Sequence, residues 1–413
     1  MLQIVPVREA VQHVCGIIPR GACSRRSAPV RSALGLVLSR DVVAAGDLPP
    51  YPRSTVDGFA VRATDTYGAS ESMPAFLDLS GEVAMGSLPE APLAAGCAVR
   101  ISTGGALPAG ADAVAMLEYC EEPGDGTVAV GYAVGPGENV VRRGEDVAAG
   151  TTLLTDGHRL RPQDLGALEG LGFTGVEVYG KPRVGVISTG DEVVEASVQP
   201  APGQIRDVNG AAICASLERD GLAPEFLGVV PDDRARLEDS IRRALRFDAV
   251  VVSGGSSAGT RDMVASVFDS LGRPGVVVHG LALRPGKPTI MAVLDGKFAA
   301  GLPGHPSSAL VAYEAAIRPV LRRVAGEVPQ EGAGVMAGIP IKARCSRSIS
   351  SRPGREEFIR CSLRWDGDEV WADPVLGKSG LISTMVRAQA FIHVPLDSDG
   401  AGAGSPVDVY LFG

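Results

Sequence analysis

Residues 181–255 read KPRVGVISTGDEVVEASVQPAPGQIRDVNGAAICASLERDGLAPEFLGVVPDDRARLEDSIRRALRFDAVVVSGG, and their alternation decides the fold. RVGVIST (183–189) is a short apolar run suited to a buried strand. GAAICASLERDG (210–221) has helical spacing, with Asn209 as its N-cap and Gly221 as its stop. EFLGVVP (225–231) is a second strand. Asp232 and Asp233 cap the helix DRARLEDSIRRALR (233–246). DAVVVSGG (248–255) is a third strand, running into a glycine turn. RDMVASVFDSLG (261–272) then reads as a helix. VVVHGLAL (276–283), TIMAVL (289–294) and KFAAGLP (297–303) read as strands, and HPSSALVAYEAAIRPVLRRVAG (305–326) as a long helix. This alternation predicts an α/β domain over 181–326 with a mostly parallel sheet. Ligands of such sheets sit at the carboxyl ends of the strands, so the loops after 189, 231 and 255 should share one crevice.

The pattern changes on both sides of this stretch. Residues 3–18 carry apolar positions at helical spacing, and residues 30–43 repeat this less cleanly. AVRIST (98–103), AVAML (113–117) and TVAVGYAV (127–134) read as strands of a small β-region. Residues 327–413 return to short strands between Gly and Pro turns, which predicts a small β-barrel. The expected organisation is α/β and multidomain. An elongated N-terminal part is made of 1–46 plus 143–180, with a β-rich insertion at 47–142. The α/β domain spans 181–326 and the barrel 327–413.

Composition removes several classes of function. A chain of 413 residues, 45% hydrophobic, is too long for one core. The 53 glycines and 30 prolines are spread along it, as in a turn-rich folded protein. A net charge of −9 gives no footprint for nucleic acid. The seven cysteines form no CxxC pair, which argues against a zinc site or disulfide framework. MLQIVPVREAVQHV lacks a signal-peptide pattern, and no run approaches the ~20 apolar residues that span a bilayer. A soluble, cytoplasmic protein is expected.

Three loops of the α/β region present acids: Asp191 and Glu192 in STGDE, Asp232 and Asp233 in VVPDD, and Asp262 in SGGSSAGTRD. A helix cap alone would account for Asp232, and dipole complementarity for Asp262. Their convergence on one sheet edge points instead to a metal-assisted site, since Mg²⁺ favours carboxylate and phosphate oxygens. The Gly/Ser turn beginning at Ser253 offers backbone N–H groups to an anion. LRPGKP adds Arg284 and Lys287 on a Pro-Gly turn, and GLPGHPSS starts a helix with Pro306. Upstream, Asp57 precedes Gly58, Thr103 adjoins two glycines, and Arg142 and Arg143 stand beside Glu145 and Asp146. Turns and surface ion pairs would explain these without function.

Eight segments taken in order resemble the molybdopterin molybdenumtransferases, the MoeA and gephyrin E-domain family. They are LPPYPRSTVDGFAVRATDT, RISTGGALPAGADAVAMLE, NVVRRGEDV, VGVISTGDE, GQIRDVNG, VSGGSSAGTRD, LRPGKPT and GLPGHPSSALV. SRPGREEFIRCSL and PVLGKSGLISTMVRAQAFIHVP look like the archaeal and bacterial branch. The resemblance implies a molybdopterin-binding-type α/β domain. It also implies Mg²⁺-dependent insertion of molybdate or tungstate into adenylylated molybdopterin with release of AMP. A homodimer and handover from the molybdopterin adenylyltransferase are implied too. Carried over residue by residue, it assigns Asp57, Thr103, Glu192, Asp232 and Asp262 to catalysis, the last three also to metal. Ser253, Gly254 and Gly255 match the pterin phosphate loop. Arg284, Lys287, Ser308, Arg355 and Ser379 become candidates for oxyanion contact. Arg142, Asp146, Pro303 and Pro306 join the binding residues. Departures are Val141 where a basic residue is common, Ser256 for Val, His305 for Asn and Ser307 for Val. An adenylyltransferase shares only the α/β domain, and a non-catalytic scaffold would not need the acids.

Overall fold

The computed structural model describes residues 4–254, 258–328, 336 and 338–412. Its central sheet has six strands in the order Ala223–Val230, Arg183–Thr189, Ala249–Gly254, Lys297–Leu302, Ile290–Leu294, Pro274–His279. The first four are parallel to one another, and Ile290–Leu294 runs antiparallel to both its neighbours. Arg183–Thr189 and Ala249–Gly254 are buried along nearly their whole length because helices cover both faces. Val184, Val186, Val251 and Phe298 pack toward one helical layer, and Ile187, Val250, Val252 and Ala299 toward the other.

Several sequence expectations change at the helix ends. Asn209 is not the N-cap of its helix: it is the first helical residue of Asn209–Arg219. Asp207 does the capping, accepting the N–H groups of Asn209 at 3.0 Å and Gly210 at 3.1 Å. Asp233 alone caps Arg234–Ala244, accepting from the Arg236 N–H at 2.9 Å. That releases Asp232 to point elsewhere. The single long helix expected at 305–326 is two α-helical pieces, Pro306–Ala312 and Arg318–Val324, joined by a π-helical turn at Tyr313–Ile317. The Tyr313 hydroxyl at this turn donates to buried Asp220 at 2.7 Å.

The helix Val7–Ile17 packs on the α/β core through Val7, Ala10 and Val14. The helix expected over 30–43 is absent. The helical part of this segment is a 3-10 turn, Val30–Ser32, and the apolar spacing instead serves a small core in which Val30, Leu36 and Leu38 meet Leu160, Leu168 and Val178. Arg25–Pro29 pairs antiparallel with Gly175–Tyr179, and Val42–Val43 with Thr152–Leu154. The chain thus leaves and re-enters this region, and between the two passages lies a separate six-stranded sheet. Its order is Ala113–Met116, Gly58–Val61, Cys97–Ile101, Ala75–Glu82, Thr127–Val130, Cys120–Glu121.

At the C-terminus five strands, Ile341–Cys345, Glu356–Asp366, Glu369–Pro374, Ala390–Val394 and Pro406–Leu411, close into the expected barrel. Closure comes from pairing of Glu356–Asp366 with both Glu369–Pro374 and Ala390–Val394. A short strand of the α/β region, Leu283–Arg284, adds to this sheet in parallel with Glu356–Glu357. The seven cysteines are free thiols, and only Cys345 and Cys361 are buried. Among the described residues no helix is long and apolar enough to cross a membrane.

Asp164 gives this fold a pH dependence. It is buried and accepts from His158 Nε2 at 2.7 Å, from the Arg161 N–H at 2.8 Å and from the Arg161 guanidinium at 2.9 and 3.0 Å. Burial raises its pKa, but these hydrogen bonds outweigh burial and bring it down to about 2. A carboxyl depressed on folding stabilises above its unfolded pKa and loses that contribution as pH falls toward the folded value. Asp164→Asn should therefore cost roughly 2 kcal/mol at pH 7, and the gap to wild type should about halve by pH 3. Urea unfolding of both proteins at the two pH values checks this, and a gap that does not change with pH counts against it.

Candidate functional site

The carboxyl ends of the central strands come very close together. At Gly254, with φ of 148°, a Cβ would lie 2.1 Å from the Thr189 carbonyl oxygen, so only glycine lets the two loops meet. Across this meeting point the Thr189 hydroxyl donates to Asp232 Oδ1 at 3.0 Å, and the Asp232 N–H donates to Asp191 Oδ1 at 3.0 Å. The loops after 189 and 231 and the end of Ala249–Gly254 therefore share one crevice. Glu192 is half-buried on its rim and folds back over Gly190. Asp262 is exposed in the first two turns of the helix Ala258–Leu271. Gly255 lies outside the described residues.

Hard oxygen donors predominate here, which suits Mg²⁺ held by one or two carboxylates and completed by substrate phosphates. Among the described residues no three His, Cys, Asp or Glu side chains gather into a group that could hold a metal by itself. The residues thus fit an ion that arrives with a phosphorylated substrate, rather than a closed protein cage.

A second polar group lies on the inserted region. Asp57 and Thr103 are both exposed and face each other: Asp57 Oδ1 accepts the Thr103 N–H at 2.7 Å and its hydroxyl at 3.0 Å. The N–H first and the hydroxyl second hold Asp57 below the usual carboxylate range. Arg142 and Asp146 sit on an exposed turn. The ion pairs expected within that turn differ in the structure. Arg143 pairs with Asp47 at 2.6 Å, and Glu145 accepts the Arg142 N–H at 2.7 Å. These partners all lie within residues 47–145.

The third group is a cavity of about 690 Å³ where the barrel meets the α/β region. All five oxyanion candidates, Arg284, Lys287, Ser308, Arg355 and Ser379, line it. Its one lining carboxylate among the described residues, Glu357, is buried and pairs with Arg284 at 3.0 Å and Arg355 at 2.7 Å. Sequence reasoning missed three further lining cations, Arg347, Arg360 and Lys378. The available signal was the density of arginines between 344 and 364 in an otherwise acidic chain. Arg360 bonds only neutral groups: Ser307 Oγ and Thr384 Oγ1 at 2.7 Å, and the Gly377 carbonyl at 2.8 Å. Cations so outnumber the single acid that the wall attracts anions.

One turn joins the crevice to the cavity. Asn209 Nδ2 donates to Ser253 Oγ and to the Gly304 carbonyl, both at 2.9 Å. Pro303 is buried, His305 is the N-cap and Pro306 the first helical residue of Pro306–Ala312. On the far side of the same turn His305 Nδ1 meets Ser379 Oγ at 2.9 Å and the Ser307 N–H donates to the Ser379 carbonyl at 3.2 Å. His305 is thus a loop hydrogen-bonding residue.

Comparison with known proteins agrees in every part of the chain. Residues 5–172 match the MoeA N-terminal region (domain I and II), 185–323 a probable molybdopterin binding domain, and 342–412 the MoeA C-terminal region (domain IV). The molybdopterin molybdenumtransferase of Bacillus subtilis is 31% identical, covering 98% of this chain and 94% of the relative. Molybdopterin molybdenumtransferase 2 of Mycobacterium tuberculosis is 33% identical, over 94% and 95%. The crystal structure of a molybdopterin biosynthesis MoeA protein from Pyrococcus horikoshii superposes with a TM-score of 0.81 at 30% identity, covering 99% of this chain and all of that one. With three family regions in order and relatives matched end to end, this chain belongs to the MoeA family of molybdopterin molybdenumtransferases.

Proposed function

We propose that this chain inserts molybdate or tungstate into adenylylated molybdopterin during molybdenum cofactor biosynthesis, releasing AMP in an Mg²⁺-dependent step. The observation that carries the reading is the joining, through one short turn, of an acidic strand-end crevice to a cationic cavity. The two halves suit the two demands of the reaction: binding phosphates beside carboxylates, and binding a tetrahedral dianion. In the crevice the Thr189 hydroxyl and Asp191 fix Asp232, while the N-terminal end of Ala258–Leu271 favours negative charge. A divalent ion bound there would neutralise charge on the phosphoanhydride. Water adds to the adenylyl phosphorus, the bridging P–O bond breaks, AMP leaves, and the pterin keeps its own phosphate. In the cavity Lys287 and Lys378 have no carboxylate partner among the described residues, whereas Arg284 and Arg355 share Glu357. The lysines supply charge and Ser308 and Ser379 supply hydroxyls to the oxyanion. An adenylyltransferase would consume ATP in the same assay, which separates that alternative.

Asp262→Ala should abolish Mg²⁺-dependent AMP release while the protein stays folded by circular dichroism. Asp232→Asn should do the same. Wild-type turnover by either folded variant would remove that residue from the site.

Lys287→Ala should raise the molybdate concentration for half-maximal insertion about tenfold or more, the size of one charge-assisted hydrogen bond, with pterin affinity little changed. Arg284→Ala should have the smaller effect, because its guanidinium is already engaged by Glu357. If both variants lose pterin but respond normally to molybdate, the cavity has been given the wrong anion.

Asp57, Thr103 and Arg142 fall within 47–142 and Asp146 just beyond it, and Asp57, Thr103 and Arg142 have partners within 47–145, which supports a site completed between two chains. In a two-fold homodimer the inserted region of one subunit would face the crevice of the other. Mixing Asp57→Ala and Asp262→Ala chains, each inactive alone, should then restore about a quarter of wild-type activity. Random pairing makes half the dimers mixed, and each mixed dimer has one intact site. No recovery after demonstrated subunit exchange would refute shared sites.

A further inference from the structure

The network around Asn209 contains one atom that the fold itself does not explain. Asn209 is 92% buried at the N-terminus of an eleven-residue helix. Its amide orientation is set by chemistry, because the Gly304 carbonyl can only accept and so must face Nδ2. The second Nδ2 hydrogen goes to Ser253 Oγ. Ser253 Oγ therefore acts as acceptor toward Asn209, and its own hydrogen is left to donate to another group. Asn209 Oδ1 remains: it is fully buried and has no hydrogen-bond partner among the described residues. A buried carbonyl without a donor is costly, and native structures rarely tolerate one unless a water or a ligand completes it.

The surroundings hold this side chain tightly. Asp207 accepts the Asn209 and Gly210 N–H groups with one carboxylate oxygen and the Ser188 hydroxyl, at 2.8 Å, with the other. A Cβ on Gly210 would lie 2.4 Å from Asp207 Oδ2 and 2.5 Å from the Phe226 ring, so the helix cannot retreat. Asn209 thus stands where three strand ends meet, touching Ser253 at the end of one strand and Gly304 just after another.

We propose that Asn209 is a positioning residue that clamps the Ser253 end of the strand Ala249–Gly254 to the 303–308 turn, setting both for the pterin substrate, and that its unsatisfied Oδ1 marks a network completed on ligand binding. The inference rests on the functional reading above. It adds a residue that acts through that strand end and that turn, and it ties pterin affinity rather than oxyanion affinity to that clamp. The donor that completes Oδ1 comes with the bound ligand, either as one of its N–H groups or as a water it traps.

The test uses the full-length protein with Asn209→Ala and Asn209→Asp, the second keeping size but losing the Nδ2 donor. Molybdopterin binding is titrated anaerobically, and tungstate binding is titrated separately in the absence of pterin. Each variant should weaken molybdopterin binding about tenfold or more and leave tungstate affinity within about twofold. Ser253→Ala should weaken molybdopterin selectively too, and the Asn209→Asp/Ser253→Ala double variant should be no worse than the weaker single one, because both act through one clamp. Molybdopterin affinity within about twofold of wild type in a folded Asn209 variant would overturn the proposal. So would a parallel fall in pterin affinity, tungstate affinity and melting temperature, which would mean that Asn209 merely holds the fold. If both Asn209 variants fail to fold, Ser253→Ala decides, and unchanged pterin affinity there overturns it. A wild-type chain that binds tungstate but no molybdopterin would defeat the functional reading instead.

Discussion

The buried carboxylate of Glu357 is the interaction on which the site depends. Removing a carboxylate from water is unfavourable unless cations and hydrogen bonds compensate it closely. Here two guanidiniums do so, Arg284 from the α/β region and Arg355 from the barrel. The pairing of Leu283–Arg284 with Glu356–Glu357 brings them to the same place. The joint between two regions of the chain is thus also the floor of the anion cavity. A charge-pairing requirement of folding and the cationic lining of the cavity are met by the same side chains.

The cavity shows how little net charge says about a binding site. The chain carries −9 overall. Within the cavity six cations face one carboxylate among the described residues. Charges beyond a Debye length, about 8 Å at physiological salt, are largely screened, so an oxyanion responds to the local wall. Burial strengthens this effect for Arg360, whose partners are all neutral and which therefore presents its whole charge.

The strand-end crevice depends on a different constraint, the absence of side-chain volume. Gly254 must be glycine because the Thr189 carbonyl occupies the space a Cβ would take, and Gly210 because Asp207 and Phe226 do. Those contacts set two polar groups side by side at the strand ends, Asp191 with Asp232 and Ser253 with Asn209. The 303–308 turn then links the second group to the cavity through Asn209 on one side and Ser379 on the other.

Much of this was legible in the residues themselves. Buried parallel strands and their helices have periods that a single sequence displays, so the alternation at 181–326 announced the α/β sheet. The ordered motifs announced the family, and with it the five cavity residues from 284 to 379. Local chemistry could not settle choices between adjacent groups. Asp232 and Asp233 are equally good caps in sequence, and only the position of Thr189 and Asp191 shows that Asp233 caps while Asp232 turns to the crevice. Asn209 had the residue type of a cap, yet Asp207 took that role because Ser188 lies beside it. The apolar spacing at 30–43 resembled a helix, but those side chains are divided between strands and turns that meet residues 160–178. Lys378 carries no local signature at all, because it becomes a cavity residue only when the barrel closes against the α/β region. Sequence periodicity determined which elements form, since period is a local property. Which polar atoms face one another was decided by tertiary structure, since hydrogen-bond partners here lie up to 95 residues apart in the site network.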